Sequence, residues 1–494
     1  MSYTIKDLET WDEKIRVLVD KFGLDPFPQI FEECDHNQMI GYMSYSGMPS
    51  RYPHWSYGKQ YEKQKTLYNY GLTGLPYEMV INSNPCLAYL MKDNTLLLQI
   101  LTMAHVYGHN DFFRHNFTFR HTHPEYTLEK FKSHSVRVRK YIENPHIGLR
   151  KVENALDAAH ALSMNCTRYM SVKKETGLGY SSPKKEPKKQ CGSGCQGKCD
   201  GASDTSHDHH ESEVRRNPAV PDEDLLLFIR DNNPFMEDWE KDLLTIVHDE
   251  TSYFIPQIQT KIMNEGWASL WHKRILEALD LPEELRMELY VRHNQVLRPI
   301  PRSLNPYYLG YKILEDIERR WNKENGIDID GGSAEYLAGT NWEVTPGHER
   351  LFQVRETDRD DSFLRQYLTK ELMIEMDLYV HEDKGRDRVV TKVASDQDWK
   401  NVRDTIIASS GTNSLPVIKV FDADYKGRGR LLLIHEFDGR DLDSEYAKKT
   451  LRHVYQLWRG PVILETKQKR STVQYICESE KGSIDIKSVP NRST

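Results

Sequence analysis

His105 and His109 stand four residues apart in MAHVYGHNDFFRHN, and Glu265 stands far downstream in KIMNEGWASLWH. On a helix, residues i and i+4 project from one face one turn apart, so two imidazoles can reach a single ion. A carboxylate from a second helix completes a His/His/Glu set. That set suits zinc or another divalent cation with one position left open for water or substrate. The histidine pair alone carries little weight, because twenty histidines in 494 residues make such spacing expected by chance. Its setting adds weight. His115, His121 and His123 follow, and Phe112, Phe113, Phe117 and Phe119 supply apolar surroundings in which imidazoles need partners. His272 shares a face with Glu265 but lies two turns on, ~10 Å along the helix. That is far for binding the same ion and fits a place behind a ligand or against substrate.

Asn264-Glu265-Gly266-Trp267-Ala268 resembles the N-E-G-x-A stretch from which gluzincin-type zinc peptidases supply a glutamate ligand on a second helix. Gly266 permits close approach of a neighbouring helix. One position departs from that pattern. Such peptidases carry Glu directly after the first histidine, where it activates the metal-bound water; here the residue is Val106. Another base is then required, or the site is not a hydrolase. Glu78, at the edge of the strand before the histidine helix, is one candidate; Asp111 and His160 are others, and spacing does not choose among them. The loop GMPSRYPHWSYGK (47–59) adds Arg51, His54 and Trp55. Such residues bind planar or anionic groups, or equally form a packed aromatic cap on a helical core.

Helical periodicity places elements around these residues at 8–23, 95–114, 125–170, 222–230, 235–280 and 305–322, with Pro256 expected to interrupt or kink the fifth. EMVIN (78–82) reads as a short strand, and 24–60 as ordered loop. From about 375 the pattern turns to short apolar strands, with helices at 396–409 and 443–458. The expected class is α+β: a mainly helical N-terminal domain (1–345) with a degenerate zincin-like core, a helical connector (346–375), and a small α/β domain (376–494) of ββαββαββ order. Residues 171–220 have almost no apolar content and read as a disordered insertion. Cys191, Cys195, Cys199, His207, His209 and His210 there have metal-binding chemistry, but a solvated linker is the favoured reading, and Lys184, Lys185, Lys188 and Lys189 read as its tether.

Composition narrows the classes. Charged residues are 29% and hydrophobic ones 38%, with net charge −7, so no basic balance points to nucleic acid. No apolar run reaches the ~18 residues of a membrane span. The N-terminus lacks a signal-peptide core, and seven cysteines, an odd number, argue against a disulfide scaffold. A cytoplasmic location is expected. No Walker loop, dinucleotide fingerprint or nucleophile elbow appears.

Six long stretches are similar to the stage V sporulation protein R (SpoVR) family: 47–65, 77–91, 103–116, 261–272, 305–321 and 451–465. The resemblance covers nearly the whole chain. It implies a cytoplasmic bacterial protein linked to the spore cortex, a peptidoglycan layer. In bacteria that do not sporulate it implies a stress or stationary-phase role beside a serine protein kinase and a von Willebrand-type partner. Two functions follow as expectations. One is a metal-dependent amide hydrolase acting on a peptide or peptidoglycan precursor, with zinc or a similar ion on His105, His109 and Glu265. Glu78 or His160 would then be the base, and Arg51, His54, Trp55 and His272 would surround the substrate or the ligands. The other is a non-catalytic regulator or scaffold built on a degenerate metalloprotease core, favoured by Val106.

Overall fold

The helix Lys261–Ala278 is the central rod of the helical half. Ile262, Met263, Trp267, Leu270, Trp271 and Ile275 bury most of its circumference, as expected of a helix covered on all sides. The structure, a computed structural model, describes residues 3–70, 72, 75–168, 218, 221–299, 303–327, 343–378, 381–384, 387–390, 398–468 and 471–490. Two helices flank the rod: the histidine helix Leu96–His115, buried from Leu97 to Phe113, and the helix Pro306–Glu324. Both crossings are made by small residues. A Cβ on Gly108 would lie 2.7 Å from Ala268 Cα, and one on Gly266 would lie 2.4 Å from the Gly310 carbonyl carbon.

Beside the histidine helix lies a three-stranded sheet in the order β1–β3–β2. β1 (Gln29–Cys34) runs parallel to β3 (Cys86–Met91), and β2 (Glu78–Ile81) runs antiparallel to β3. Glu78 opens β2 opposite Leu90 at the sheet edge. The segment 24–60, expected to be loop, therefore holds β1, the helix His36–Ser44 and the start of the helix Trp55–Asn69. Its Pro, Gly and aromatic content masks a half-exposed strand, though a capping box between Asp35 and Gln38 marks the middle helix. Pro256 sits inside the helix Asp238–Gln259; the break before the rod comes at Thr260, whose hydroxyl donates to the Pro256 carbonyl at 2.7 Å.

The C-terminal strands form β4 (His381–Lys384) and β5 (Asp387–Val390) as a separate hairpin. β6 (Ile418–Asp422), β7 (Leu431–His435), β8 (Val462–Gln468), β9 (Ser471–Cys477) and β10 (Asp485–Val489) form one sheet in the order β10–β9–β8–β7–β6. The helix Ser444–Trp458 connects the parallel pair β7 and β8, as a parallel pair requires. The α+β class stands, but the strand order is corrected: β10 adds a strand that its mostly exposed, polar sequence hides, and the first two strands stay outside the main sheet.

The 346–375 connector is helical and joins the rod's core. Leu351, Val354, Phe363, Leu364 and Leu372 belong to the same apolar core as the rod, which also takes in Ile407. The main sheet in turn packs Val420, Leu433 and Leu464 against helices Gly148–Leu162, Leu225–Asn232 and Asp238–Gln259. The insertion read over 171–220, with its cysteines and histidines, lies outside the described residues except for Pro218.

A partly buried charge cluster lies beside that second core. His248 lies 3.0 Å from Asp224 and 3.4 Å from Asp249, which also pairs with Lys130. Burial opposes its charge, but hydrogen bonds to the two carboxylates outweigh burial and raise His248 to about 9. Its unfolded value is about 6.5. The raised value means the folded chain holds the proton more tightly, so the stabilisation is complete below pH 6.5 and is lost as pH rises through 9. The full difference is roughly 3 kcal/mol. A His248→Gln variant is therefore expected to be less stable than the parent at pH 6 and to converge on it by pH 10. Thermal midpoints across that range measure this, and a pH-independent gap would refute it.

Candidate metal centre

The histidine helix turns His105 and His109 toward the rod, their ring centroids 4.6 Å apart. Each ring is anchored through Nδ1. His109 Nδ1 lies 2.9 Å from Asn264 Oδ1, and His105 Nδ1 lies 2.9 Å from His272 Nδ1. Since Asn264 Oδ1 only accepts, His109 carries its proton on Nδ1 and keeps the Nε2 lone pair free. Burial, then His105, pushes His109 down to about 4, so the ring is neutral near pH 7. A neutral imidazole with one nitrogen hydrogen-bonded and the other bare is the form that ligates a cation.

Both Nε2 atoms converge on Glu265. Its Oε2 lies 3.8 Å from His105 Nε2 and 3.5 Å from His109 Nε2. This oxygen is buried and has no hydrogen-bond partner among the described residues. Buried polar atoms are nearly always satisfied, so an orphaned carboxylate oxygen facing two imidazoles fits a site for a cation. Glu78 approaches from β2, and one donor atom each of Glu78, His105 and His109 fall within 4.8 Å of one another. The two carboxylates differ in environment. Burial pushes Glu78 up, helped by the Glu265 charge and opposed by His105. For Glu265 burial acts upward too, but His105 and His109 outweigh it and the net shift is down.

Tyr307, from the helix beyond the rod, completes the wall. Its ring stacks near His105 at 6.1 Å. The Glu265 charge, burial and Glu78 push its hydroxyl well above the usual phenol range, which keeps it a donor. A cavity of about 950 Å³ opens onto the cluster, with Glu78, His109, Glu265, Tyr307, Lys261 and Asp360 in its lining. Asp360 accepts from the Ile262 and Met263 amides at 2.9 and 3.0 Å, capping the rod and fixing its first turn one turn before Glu265.

The remaining sequence candidates fall elsewhere. Asp111 is committed: its carboxylate receives both bonds of Arg355 Nη1 at 2.8 Å, the Trp267 indole at 2.9 Å and the Asp25 amide at 2.9 Å. His160 lies 2.7 Å from the Tyr52 hydroxyl and packs edge-on against His54, in a cluster apart from the histidine pair. His54 Nδ1 accepts from the Ser56 amide at the start of the helix Trp55–Asn69, and half-exposed Trp55 donates to Asp157. Arg51 lines the far cavity wall with its charge spent on Glu250, at 2.9 and 2.7 Å. His272 stands behind His105. Asn264, Tyr307 and His293 were missed as site residues; Asn264 lay within the recognised motif, but no local pattern singles out the other two.

A paired-histidine and carboxylate cluster thus lies between three helices and a small sheet, and family comparison agrees with the motifs. Residues 2–415 match the family described as SpoVR like protein, and residues 416–469 match the SpoVR-like C-terminal domain. The chain belongs to the SpoVR family. The boundary between the two matches falls just before β6. The Escherichia coli (strain K12) protein YcgB, whose description is uncharacterized, is 30% identical over 501 residues, covering 98% of this chain and 96% of its own length. No solved structure matches the chain. Among the described residues no helix is long and apolar enough to cross a membrane.

Proposed function

We propose that the chain is a divalent-metal-dependent amide hydrolase, with zinc the leading candidate for the ion. The carrying observation is the convergence of His105 Nε2 and His109 Nε2 on the unpartnered buried Oε2 of Glu265. His105, His109 and Glu265 would hold the ion. A bound divalent cation acidifies a water and polarises a carbonyl. Glu78, beside the imidazoles on the cavity wall, takes the place of the glutamate that Val106 removes. It accepts the proton of the attacking water and returns it to the departing amine, so one water is consumed and an acid and an amine are released. The opposite pushes on Glu78 and Glu265 accord with this division: one exchanges protons while the other stays ionised. Tyr307 donates to the carbonyl oxygen as it gains charge. The cavity takes a segment of several residues, such as a peptide or peptidoglycan precursor, and the cell process it serves would be the spore cortex or stationary-phase physiology.

Val106, buried at the position where related peptidases carry their base, favours a second reading. In it the metal site is structural and the chain is a regulator acting with a serine protein kinase and a von Willebrand-type partner. Elemental analysis of the purified chain tests the first reading, with one divalent ion per chain expected and none in a His109→Ala variant. Hydrolysis of peptide or muropeptide mixtures, lost in Glu78→Gln with metal retained, separates the two. A metal-free wild-type chain sinks both forms of the metal site; a loaded chain that cleaves nothing leaves the regulator.

A further inference from the structure

Behind the metal centre lies a row of three imidazoles. His105 Nδ1 faces His272 Nδ1 at 2.9 Å, and His272 Nε2 faces His293 Nδ1 at 2.8 Å. All three rings are buried, and they come from three separate helices: Leu96–His115, Lys261–Ala278 and Glu283–Leu297. We propose that His293 is a positioning residue for the cation site, setting through His272 which nitrogen of His105 carries the proton. The inference rests on the metal-centre reading given above.

Hydrogen-bond direction couples the three rings. A neutral imidazole has one donor and one acceptor nitrogen. Each ring–ring contact pairs a donor with an acceptor, so with one of each per ring the row has only two self-consistent arrangements. In the first, His105 Nδ1–H donates to His272 Nδ1, His272 Nε2–H donates to His293 Nδ1, and His105 Nε2 is bare toward Glu265. In the second every bond reverses, and His105 Nε2–H points at the place the ion would take. Only the first arrangement binds a cation through His105. It needs an acceptor at the end of the row, and His293 Nδ1 is that acceptor. Without it the His272 Nε2–H is buried and unsatisfied, and the row tips toward the second arrangement.

The chemistry of residue 293 therefore controls an ion more than one residue away. Asparagine places its Oδ1 near the former Nδ1 and accepts the same bond; leucine fills a similar volume and accepts nothing. Zinc affinity is to be measured by competition with a chromophoric chelator on full-length wild type, His293→Asn and His293→Leu. Melting of the three metal-free proteins runs alongside. The expected result is a drop of roughly 10–100-fold for His293→Leu, wild-type-like affinity for His293→Asn, and similar metal-free melting temperatures. In zinc-loaded wild type, histidine-selective nitrogen NMR should show His105 protonated on Nδ1. Equal losses in both variants would make His293 a packing residue, and equal affinity in all three would leave it without influence; either overturns the proposal. A wild-type chain that binds no zinc fails the metal-centre reading itself, an outcome distinct from both.

Discussion

Glu265→Gln is expected to weaken zinc binding by on the order of 100-fold or more while leaving the metal-free chain as stable as wild type, or more so. The two halves of that result come from one geometry. Glu265 Oε2 sits between two imidazole nitrogens at 3.8 and 3.5 Å, buried, with no hydrogen-bond donor among the described residues. Two carboxylates share this buried pocket, since Glu78 faces the same imidazole pair, and holding two like charges there is costly to the fold. Glutamine keeps the shape, removes the charge, and lets its amide donate to the His109 Nε2 lone pair. The metal-free fold is thereby relieved, and the cation loses its anionic ligand. Opposite movement of stability and binding is the sign of a residue retained for function. Calorimetric titration with zinc and melting of the metal-free protein read the two quantities separately. An unchanged affinity accompanied by a clear loss of stability would reassign Glu265 to a structural ion pair.

The parts of this site that could be read from sequence are those carried by local spacing. The His105–His109 pair declares itself because four residues make one turn. Glu265 declares itself because Asn264 and Gly266 frame it, and Gly266 turns out to lie against Gly310. Glu78 was reachable only as the polar residue opening a strand. The rest depends on contacts between distant segments. His293 meets His272 across two helices, and Tyr307 is one of two adjacent tyrosines, of which periodicity alone does not say which faces the carboxylates. His160 meets Tyr52 of the second core, a contact that the spacing of its own helix does not reveal.

The same distinction applies to the fold. Long amphipathic helices such as Pro306–Glu324 were placed within two residues, because their periodic burial shows in the chain. β1 was not seen. Its burial alternates only between half-buried and exposed until Cys34, and its stability comes from parallel pairing with β3 more than fifty residues away. β10 is an exposed edge strand and carries no apolar alternation at all. The helical connector at 346–375 shares one apolar core with the rod through Val354, Phe363 and Leu364, a membership that no local pattern in the segment displays.

Gly266→Ala is expected to cost roughly 3 kcal/mol or more, at the upper end of overpacking penalties, and to impair metal uptake as well. The added Cβ would lie 2.4 Å from the Gly310 carbonyl carbon, 2.5 Å from Gly310 Cα and 2.7 Å from the Tyr311 amide nitrogen. All three are backbone atoms, so no side-chain rotation relieves the clash, and two helices must move apart. Glu265 precedes the substitution by one residue, and Tyr307 lies three residues before Gly310 on the helix that is displaced. Separation therefore shifts a ligand and the hydroxyl beside it relative to His105 and His109, which are held by a different crossing at Gly108 and Ala268. Gly58 supplies the opposite case. It lies within the helix Trp55–Asn69, and a Cβ there meets nothing within 4 Å. Gly58→Ala is expected to stabilise by about 0.5–1 kcal/mol through helix propensity alone. The two substitutions are chemically identical, so a difference in sign between them isolates the backbone contact as its cause. If Gly266→Ala melts within a degree of wild type and binds zinc undiminished, the rod and its neighbour do not depend on that contact, and the placement of Glu265 must be set by the Asp360 cap instead.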